Sequence, residues 1–211
     1  MVEKHPIDLS LLAETFDINN RGDCQHLEKW LASSYVFNDF EQMLFDQVFE
    51  KTRNDVNYFN EEELKVQLIG ILFFLADINI EGKVKVFYER PLTAILQEKY
   101  KISVVVDCMV ATPMRFNKPK LPYFFLQEFK KGKGDDKDPE AQMLAAMLVA
   151  QYKNEDNKPV YGSFLIGSNW WFTTLIEREY CLSREFNASN KADLQQIVFI
   201  LRRLKELVLE N

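Results

Sequence analysis

Residues 124 to 132 read FFLQEFKKG, an apolar run that turns into alternating charges within its own length. In a strand, side chains point to opposite faces with a period of two, so Glu128 and Lys130 share one face while Phe129 takes the other. The spacing therefore predicts two opposite charges side by side at the mouth of a buried strand.

Working outward, ISVVVDCMV (102–110) reads as a second strand, with Asp107 near its end, and VKVFYERPL (84–92) as a third. All are rich in branched and aromatic residues, which suit a pleated, buried surface. The connection ATPMRFNKPKL (111–121) is broken by prolines and is expected as a surface loop or the end of a long hairpin. GKGDDKD (132–138) is expected as a flexible polar link, with Asp138 capping a following helix and Pro139 in its first turn. That helix, EAQMLAAMLVAQY, is followed by the strand VYGSFLIGS, then by WWFTTLIEREYCL, whose later part alternates.

Upstream, helical spacing is expected from His26 to Ala32 and from Asn38 to Thr52, with Phe40, Met43, Leu44, Gln47 and Val48 as the apolar side of the second. Asn60 and Glu63 form a capping-box pattern ahead of an apolar helix from Leu64 to Leu75, which should be central. After Asn190, a last helix carries one stripe of Leu194, Ile197, Val198, Leu201, Leu204 and Val208. A strand, a helix and a further strand imply a parallel pairing, because an antiparallel neighbour needs only a hairpin. The fold class is thus α/β, a central mixed sheet flanked by helices. Residues 1–59 form an N-terminal helical extension packed on a core of residues 60–211.

Composition narrows the function. The chain carries 26 Lys and Arg against 32 Asp and Glu, a net charge of -6. Residues 1–63 hold 14 acids and 5 bases, whereas residues 115–137 hold 7 bases and 3 acids. The acidic balance opposes nucleic-acid binding, and its uneven distribution softens that objection. Three cysteines, far apart and in no CxxC arrangement, and two histidines in the acidic part argue against zinc, a disulfide framework or a Ser-His or Cys-His hydrolase. Gly132 and Gly134 precede no phosphate-loop GK[ST]. The longest apolar run, Leu68 to Ile78, is too short to span a bilayer and the start has no apolar signal core, so a cytoplasmic location without membrane contact is expected.

If the strands ending in Asp107 and Glu128 are neighbours, one register brings both acids and Lys130 to a single sheet edge. Two carboxylates can hold Mg²⁺, which polarises a phosphodiester and activates a water, while a lysine orients that water. In the absence of metal the lysine relieves the repulsion between the acids.

Asp107, a spacer of twenty residues, then Glu128-Phe129-Lys130 resembles the D…ExK signature of the PD-(D/E)XK nuclease superfamily. The order helix, three strands, helix, strand over roughly residues 60–175 is similar to that superfamily's restriction endonuclease-like core. The resemblance implies Mg²⁺-dependent cleavage of a phosphodiester, with Mn²⁺ as a substitute, in DNA before RNA. It implies Asp107 and Glu128 as metal ligands and Lys130 as the residue assisting water. It also implies an acid on the first core helix, Glu61 ahead of Glu62 and Glu63, since Glu63 has the competing capping role. Gln142 resembles the glutamine beside the metal in nucleases of the RecB type; the tyrosine expected near it is matched only loosely by Tyr152. An alternative is a module of the same fold without catalysis, binding nucleic acid or protein. The acidic N-terminal helices suit a protein partner or a second copy of the chain, and the last helix's stripe is either an interface or sheet cover. Lys131, Lys133 and Lys137 are candidates for phosphate contact or for solubility alone, as are Arg115, Lys118 and Lys120 in the proline-broken loop. Of Trp170 and Trp171, one at most is expected to be exposed for base stacking.

Overall fold

The expected capping box of Asn60 and Glu63 forms, and Asn38 and Glu41 make a second one; in both, side-chain and backbone hydrogen bonds are exchanged at 2.8–2.9 Å. They start two of the helices in a computed structural model that describes residues 1–21, 24–131 and 138–210. In chain order the elements open with strand β1 (Glu3–Lys4), helix α1 (Leu9–Phe16), strand β2 (Asn19–Arg21) and helices α2 (Gln25–Leu31) and α3 (Asp39–Thr52). A short helix α4 (Glu61–Glu63) runs through a π-helical segment, Leu64–Ile69, into α5 (Gly70–Leu75) as one rod. Three long strands follow, β3 (Lys85–Leu96), β4 (Tyr100–Met114) and β5 (Lys118–Lys130), then helix α6 (Pro139–Asn154). Strands β6 (Val160–Ile166), β7 (Asn169–Ile176), β8 (Glu179–Leu182) and β9 (Phe186–Asn187) precede the last helix, α7 (Lys191–Glu210).

The protein is α/β, with one mixed sheet between two helical layers. Strand β5 pairs antiparallel with β4 and parallel with β6, the crossover running through α6 as the topology requires. On one face lies a core of α2, α3, the α4–α5 rod and α7; on the other, α1 and α6. Trp30 of α2 anchors the first layer, its Nε1 donating to Ile200 O at 2.8 Å and its ring set edge-on to Phe125, Tyr161 and Phe172. The stripe on α7 is wholly buried there, so it is sheet cover.

Several expectations change. The first 59 residues contribute two short strands besides helices: β1 extends the sheet beside β4, and β2 beside β8. Helix α3 buries Phe45, Val48, Phe49 and Thr52, spaced i, i+3, i+4 and i+7, and leaves Phe40 and Met43 exposed. Two apolar stripes compete on that helix, and the one carrying two phenylalanines at adjacent turns wins. The alternating segment after Trp170 is a hairpin, β7 and β8, turned at Glu177 in the left-handed region. Cys24 and Cys181 are joined as a disulfide with Cα atoms 6.1 Å apart. Their separation of 157 residues hides the pairing, which follows from β2 lying beside β8 with Arg21 opposite Cys181. A reducing cytoplasm would keep that bond open, leaving two buried thiols in contact. Among the described residues no helix is long and apolar enough to cross a membrane.

Helix α6 lies so close to β6 that Gly162 is required: a Cβ there would meet Met143 Sδ at 2.8 Å and Met147 Sδ at 3.1 Å. Gly162→Val is accordingly expected to cost about 1–3 kcal/mol by overpacking, read as a lowered midpoint in urea; an unchanged midpoint would mean that α6 stands off the sheet.

Candidate active site

Strand β5 ends with Phe125 and Phe129 in the core under the α4–α5 rod, and with Leu126 in the core under α6. Alternation therefore turns Glu128 and Lys130 to the α6 side, and both are buried, Glu128 with only 1% of its surface exposed. The register Cys108 to Gln127 continues to set Asp107 opposite Glu128. Asp107 Oδ2 is fixed by the Phe129 N–H at 2.8 Å. Thus the three predicted side chains do converge.

Lys130 stands at their centre. Its Nζ lies 3.8 Å from Asp107 Oδ2, 3.9 Å from Glu128 Oε2 and 3.5 Å from Glu61 Oε1. Of the three acids that open the first core helix, only Glu61 reaches it. Glu63 is held by the cap on Asn60, and Glu62 pairs with Lys65 at 2.8 Å. Among the described residues no group of three or more His, Cys, Asp or Glu side chains is spaced to enclose an ion. The ammonium of Lys130 stands among the three acids, 3.5–3.9 Å from each.

Glu89 is the residue that the strand pattern concealed. The pairs Tyr88 to Cys108 and Arg90 to Val106 bracket Glu89 directly opposite Asp107, so Glu89, Asp107 and Glu128 form one row across β3, β4 and β5. Alternation breaks at this row on both strands. Val106 packs under α6, yet Cys108, two residues on, packs under the rod; Phe87 and Leu92 likewise share a side despite their odd spacing. Glu89 accommodates the break at φ +51°, a left-handed conformation costing an ordinary residue about 1–2 kcal/mol. Strain of that kind collects at functional sites. Its carboxylate holds Lys65 at 2.8 Å, and Lys65 sits over the Phe129 ring. No periodicity rule exposes such a residue, because only the register reveals that an acid faces Asp107.

The electrostatics are those of an underneutralised acidic site. Five acids, Glu61, Glu62, Glu89, Asp107 and Glu128, meet two lysines, Lys65 and Lys130. Burial pushes the Glu128 carboxyl well above its usual range, and the charge of Asp107 adds to this against the pull of Lys130. Burial also raises Asp107, opposed by the Phe129 N–H and by Lys130. Lys65 is raised in spite of burial by its hydrogen bonds to Glu62 and Glu89. Both carboxylate oxygens of Glu128 are buried without a hydrogen-bond donor. Such orphaned acceptors are rare and costly, and they are the ligands a hard divalent cation takes. The donor set fits Mg²⁺ or Mn²⁺.

Gln142 lies in the first turns of α6, on the side to which Glu128 points, and its Oε1 is buried without a donor. No hydrogen bond ties that oxygen to Asp107, Glu128 or Lys130. Tyr152 is exposed ten residues further along the helix, about 15 Å away. Trp170 is fully buried, and Trp171 stacks on Phe164 with ring centroids 5.2 Å apart, so core packing occupies both. Lys133 and Lys137, with the polar link, fall outside the described residues.

The chain matches no protein-family model, and no curated protein is similar to it. The geometry alone carries the functional argument.

Glu89→Gln keeps the shape and the strained backbone of Glu89 but removes its charge. If the site hydrolyses phosphodiesters, it is expected to reduce the rate about tenfold, while stability moves by less than about 1 kcal/mol, the worth of a partly exposed ion pair. Single-turnover assays beside a thermal melt would show both; an unchanged rate would reduce Glu89 to a structural residue.

Proposed function

We propose that this chain is a divalent-metal-dependent nuclease with a restriction endonuclease-like core, hydrolysing phosphodiesters in nucleic acid, DNA before RNA. One observation carries the reading: Asp107 and Glu128 face each other on neighbouring strands, Glu128 has two orphaned oxygens, and Lys130 stands within 4 Å of both acids. The succession of rod, β3, β4, β5, α6 and β6, with β5 and β6 parallel, supports the core assignment.

Asp107 and Glu128 would hold the ion, with Glu61 at the partly exposed mouth of the site. When bound, Mg²⁺ supplies a Lewis acid for the phosphate and lowers the pKa of a water. The Phe129 N–H fixes the rotamer of Asp107, so the acid need not reorganise during reaction. Lys130, once released from the acids, offers its ammonium to the attacking water and to charge developing on the phosphate oxygens. A preorganised donor of that kind contributes about 10²–10³ in rate. Glu89 holds Lys65 over Phe129, completing a shell that positions the end of β5. Gln142 lends an acceptor from α6 on the same side.

The reading predicts that the purified protein cuts at least one of single-stranded DNA, duplex DNA or RNA when Mg²⁺ or Mn²⁺ is supplied, and that a chelator stops it. Intact substrates throughout that panel would contradict it. A second reading, a noncatalytic module of the same fold, is favoured by the lysine already seated among the acids. Calorimetric titration separates the two: no Mg²⁺ or Mn²⁺ binding at millimolar metal supports the module.

A further inference from the structure

Strands β4 and β5 do not stop where their neighbours stop. The pairing of β3 ends at Lys85 with Ala111, and that of β6 with β5 begins at Phe125, so residues 112–122 project from the sheet as a free two-stranded ribbon. The register shifts on both sides of Ala111, an irregularity of the bulge type that re-aims a ribbon. Pro113 and Pro119 face each other within it. Prolines are tolerated there because a ribbon with two free edges needs few N–H donors. Of the two readings of this segment, a surface loop or the end of a long hairpin, the backbone takes the second.

Its surface is unlike the rest of the molecule. From residue 108 to 127 there is no acid, in a chain that averages about one for every seven residues, and there are three bases, Arg115, Lys118 and Lys120. All three are exposed, and among the described residues none has an ion-pair partner. Lys118 pairs with Met114 and Lys120 with Thr112 across the ribbon, which puts both lysines on one face. At the tip, Phe116 is 93% exposed at φ +61°, with exposed Met114 at the neighbouring rung. An aromatic side chain gains nothing from that placement unless something covers it.

We propose that this ribbon is a duplex-binding arm, entering a groove of the nucleic acid with Arg115, Lys118 and Lys120 on phosphates and Phe116 as a wedge against base steps. A two-stranded ribbon fits a major groove, and apolar side chains pressed on base steps, as in minor-groove binders, unstack neighbouring bases. Nucleic acid is favoured over an anionic membrane because β4 and β5 are the strands that carry Asp107 and Glu128, so a polymer held at the site runs along them. The inference rests on the nuclease reading for that continuity and extends it to substrate class. Asp107 and Phe116 are nine residues apart, about 30 Å of extended strand or about nine base pairs of duplex.

The test is fluorescence anisotropy of a labelled duplex of about 20 base pairs, in Ca²⁺ or chelator so that nothing is cut, with a shorter duplex of about six base pairs beside it. The triple variant Arg115→Gln, Lys118→Gln and Lys120→Gln is expected to bind at least tenfold more weakly, with the slope of log K against log salt shallower by about 2–3. Phe116→Ala should bind roughly tenfold more weakly at an unchanged slope, as for a lost base stack, and the six-base-pair duplex should bind wild type and triple variant alike. Unchanged affinity and slope in the variants overturns the arm, as does an arm-dependent attachment to phosphatidylserine vesicles with duplex binding unaffected, or a wild type that binds no duplex. Cleavage that persists in variants with unchanged binding sinks the arm and spares the hydrolytic centre. Arm-dependent binding by a protein that cuts nothing does the reverse.

Discussion

Single-turnover cleavage is expected to fall at least about a thousandfold in Asp107→Ala and in Glu128→Ala, and about a hundredfold in Lys130→Met. The two acids supply the buried protein ligands of the proposed ion, so removal of either leaves a site that cannot hold it at working concentrations. Lys130 acts differently. Its loss leaves both ligands in place and removes the one ammonium that can meet developing charge, so the deficit should fall on kcat more than on KM. Lys130→Met keeps the apolar length of the side chain but removes the ammonium that Glu61, Asp107 and Glu128 share and its hydrogen bond to Phe129 O, so a thermal melt beside the assay separates lost chemistry from lost stability. Losses below tenfold in all three variants, with circular dichroism unchanged, would remove these residues from the chemistry.

A second large effect concerns stability. Glu128→Gln is expected to stabilise the metal-free protein by about 1–2 kcal/mol, several degrees at about 2–4 °C per kcal/mol for a chain of this size. The Glu128 carboxylate is buried with no donor on either oxygen and with the acid of Asp107 beside it. A glutamine amide keeps the volume and donates to Asp107 without first taking up a proton, which the Glu128 carboxyl must do to make the same hydrogen bond. The attraction lost is to Lys130 at 3.9 Å, and Lys130 keeps Asp107 and Glu61 as partners. Divalent metal should invert the order: at a hundred times its dissociation constant it adds about 2.7 kcal/mol to the wild type and little to the variant. A variant that melts below the wild type in chelator would show that Glu128 is satisfied in some other way. Active sites commonly carry such a stability cost.

How much of this could be read from the chain depends on which distances are local. The C-terminal end of β5, the alternation of Glu128 and Lys130 about Phe129, the Asn60–Glu63 capping box and the parallel crossover through α6 all follow from spacings of two to four residues or from chain order, whereas β4 runs on to Met114, past its expected end at Val110. Asp107 opposite Glu128 is not fixed by the hairpin alone: the register of Met114 with Lys118, continued, would set Asp107 opposite Phe125, and the shifts on both sides of Ala111 bring Glu128 there instead. Glu61 over Glu62 and Glu63 could be separated only once each acid's partner was known, because three consecutive glutamates look alike until a cap, Lys65 and Lys130 divide them. Glu89 was illegible because its side chain belongs to the row only through a break in alternation at a positive φ. The Cys24–Cys181 bond depends on two strands meeting across most of the chain. The prolines left the arm open between a loop and a hairpin end, because a ribbon with free edges tolerates them as a loop does. In the core, Gln127 shows the limit from the other direction: it sits in the quoted stretch between Phe125 and Phe129, fully buried with both amide atoms unpartnered, and no rule of pattern assigns it a purpose.

Anomalous diffraction from crystals soaked in millimolar Mn²⁺ tests the central geometry most directly. The account predicts one peak at bonding distance, about 2–2.5 Å, from carboxylate oxygens of both Asp107 and Glu128, with Lys130 Nζ moved out of the space it fills between them. No peak at that place, or a peak that contacts neither acid, would contradict it.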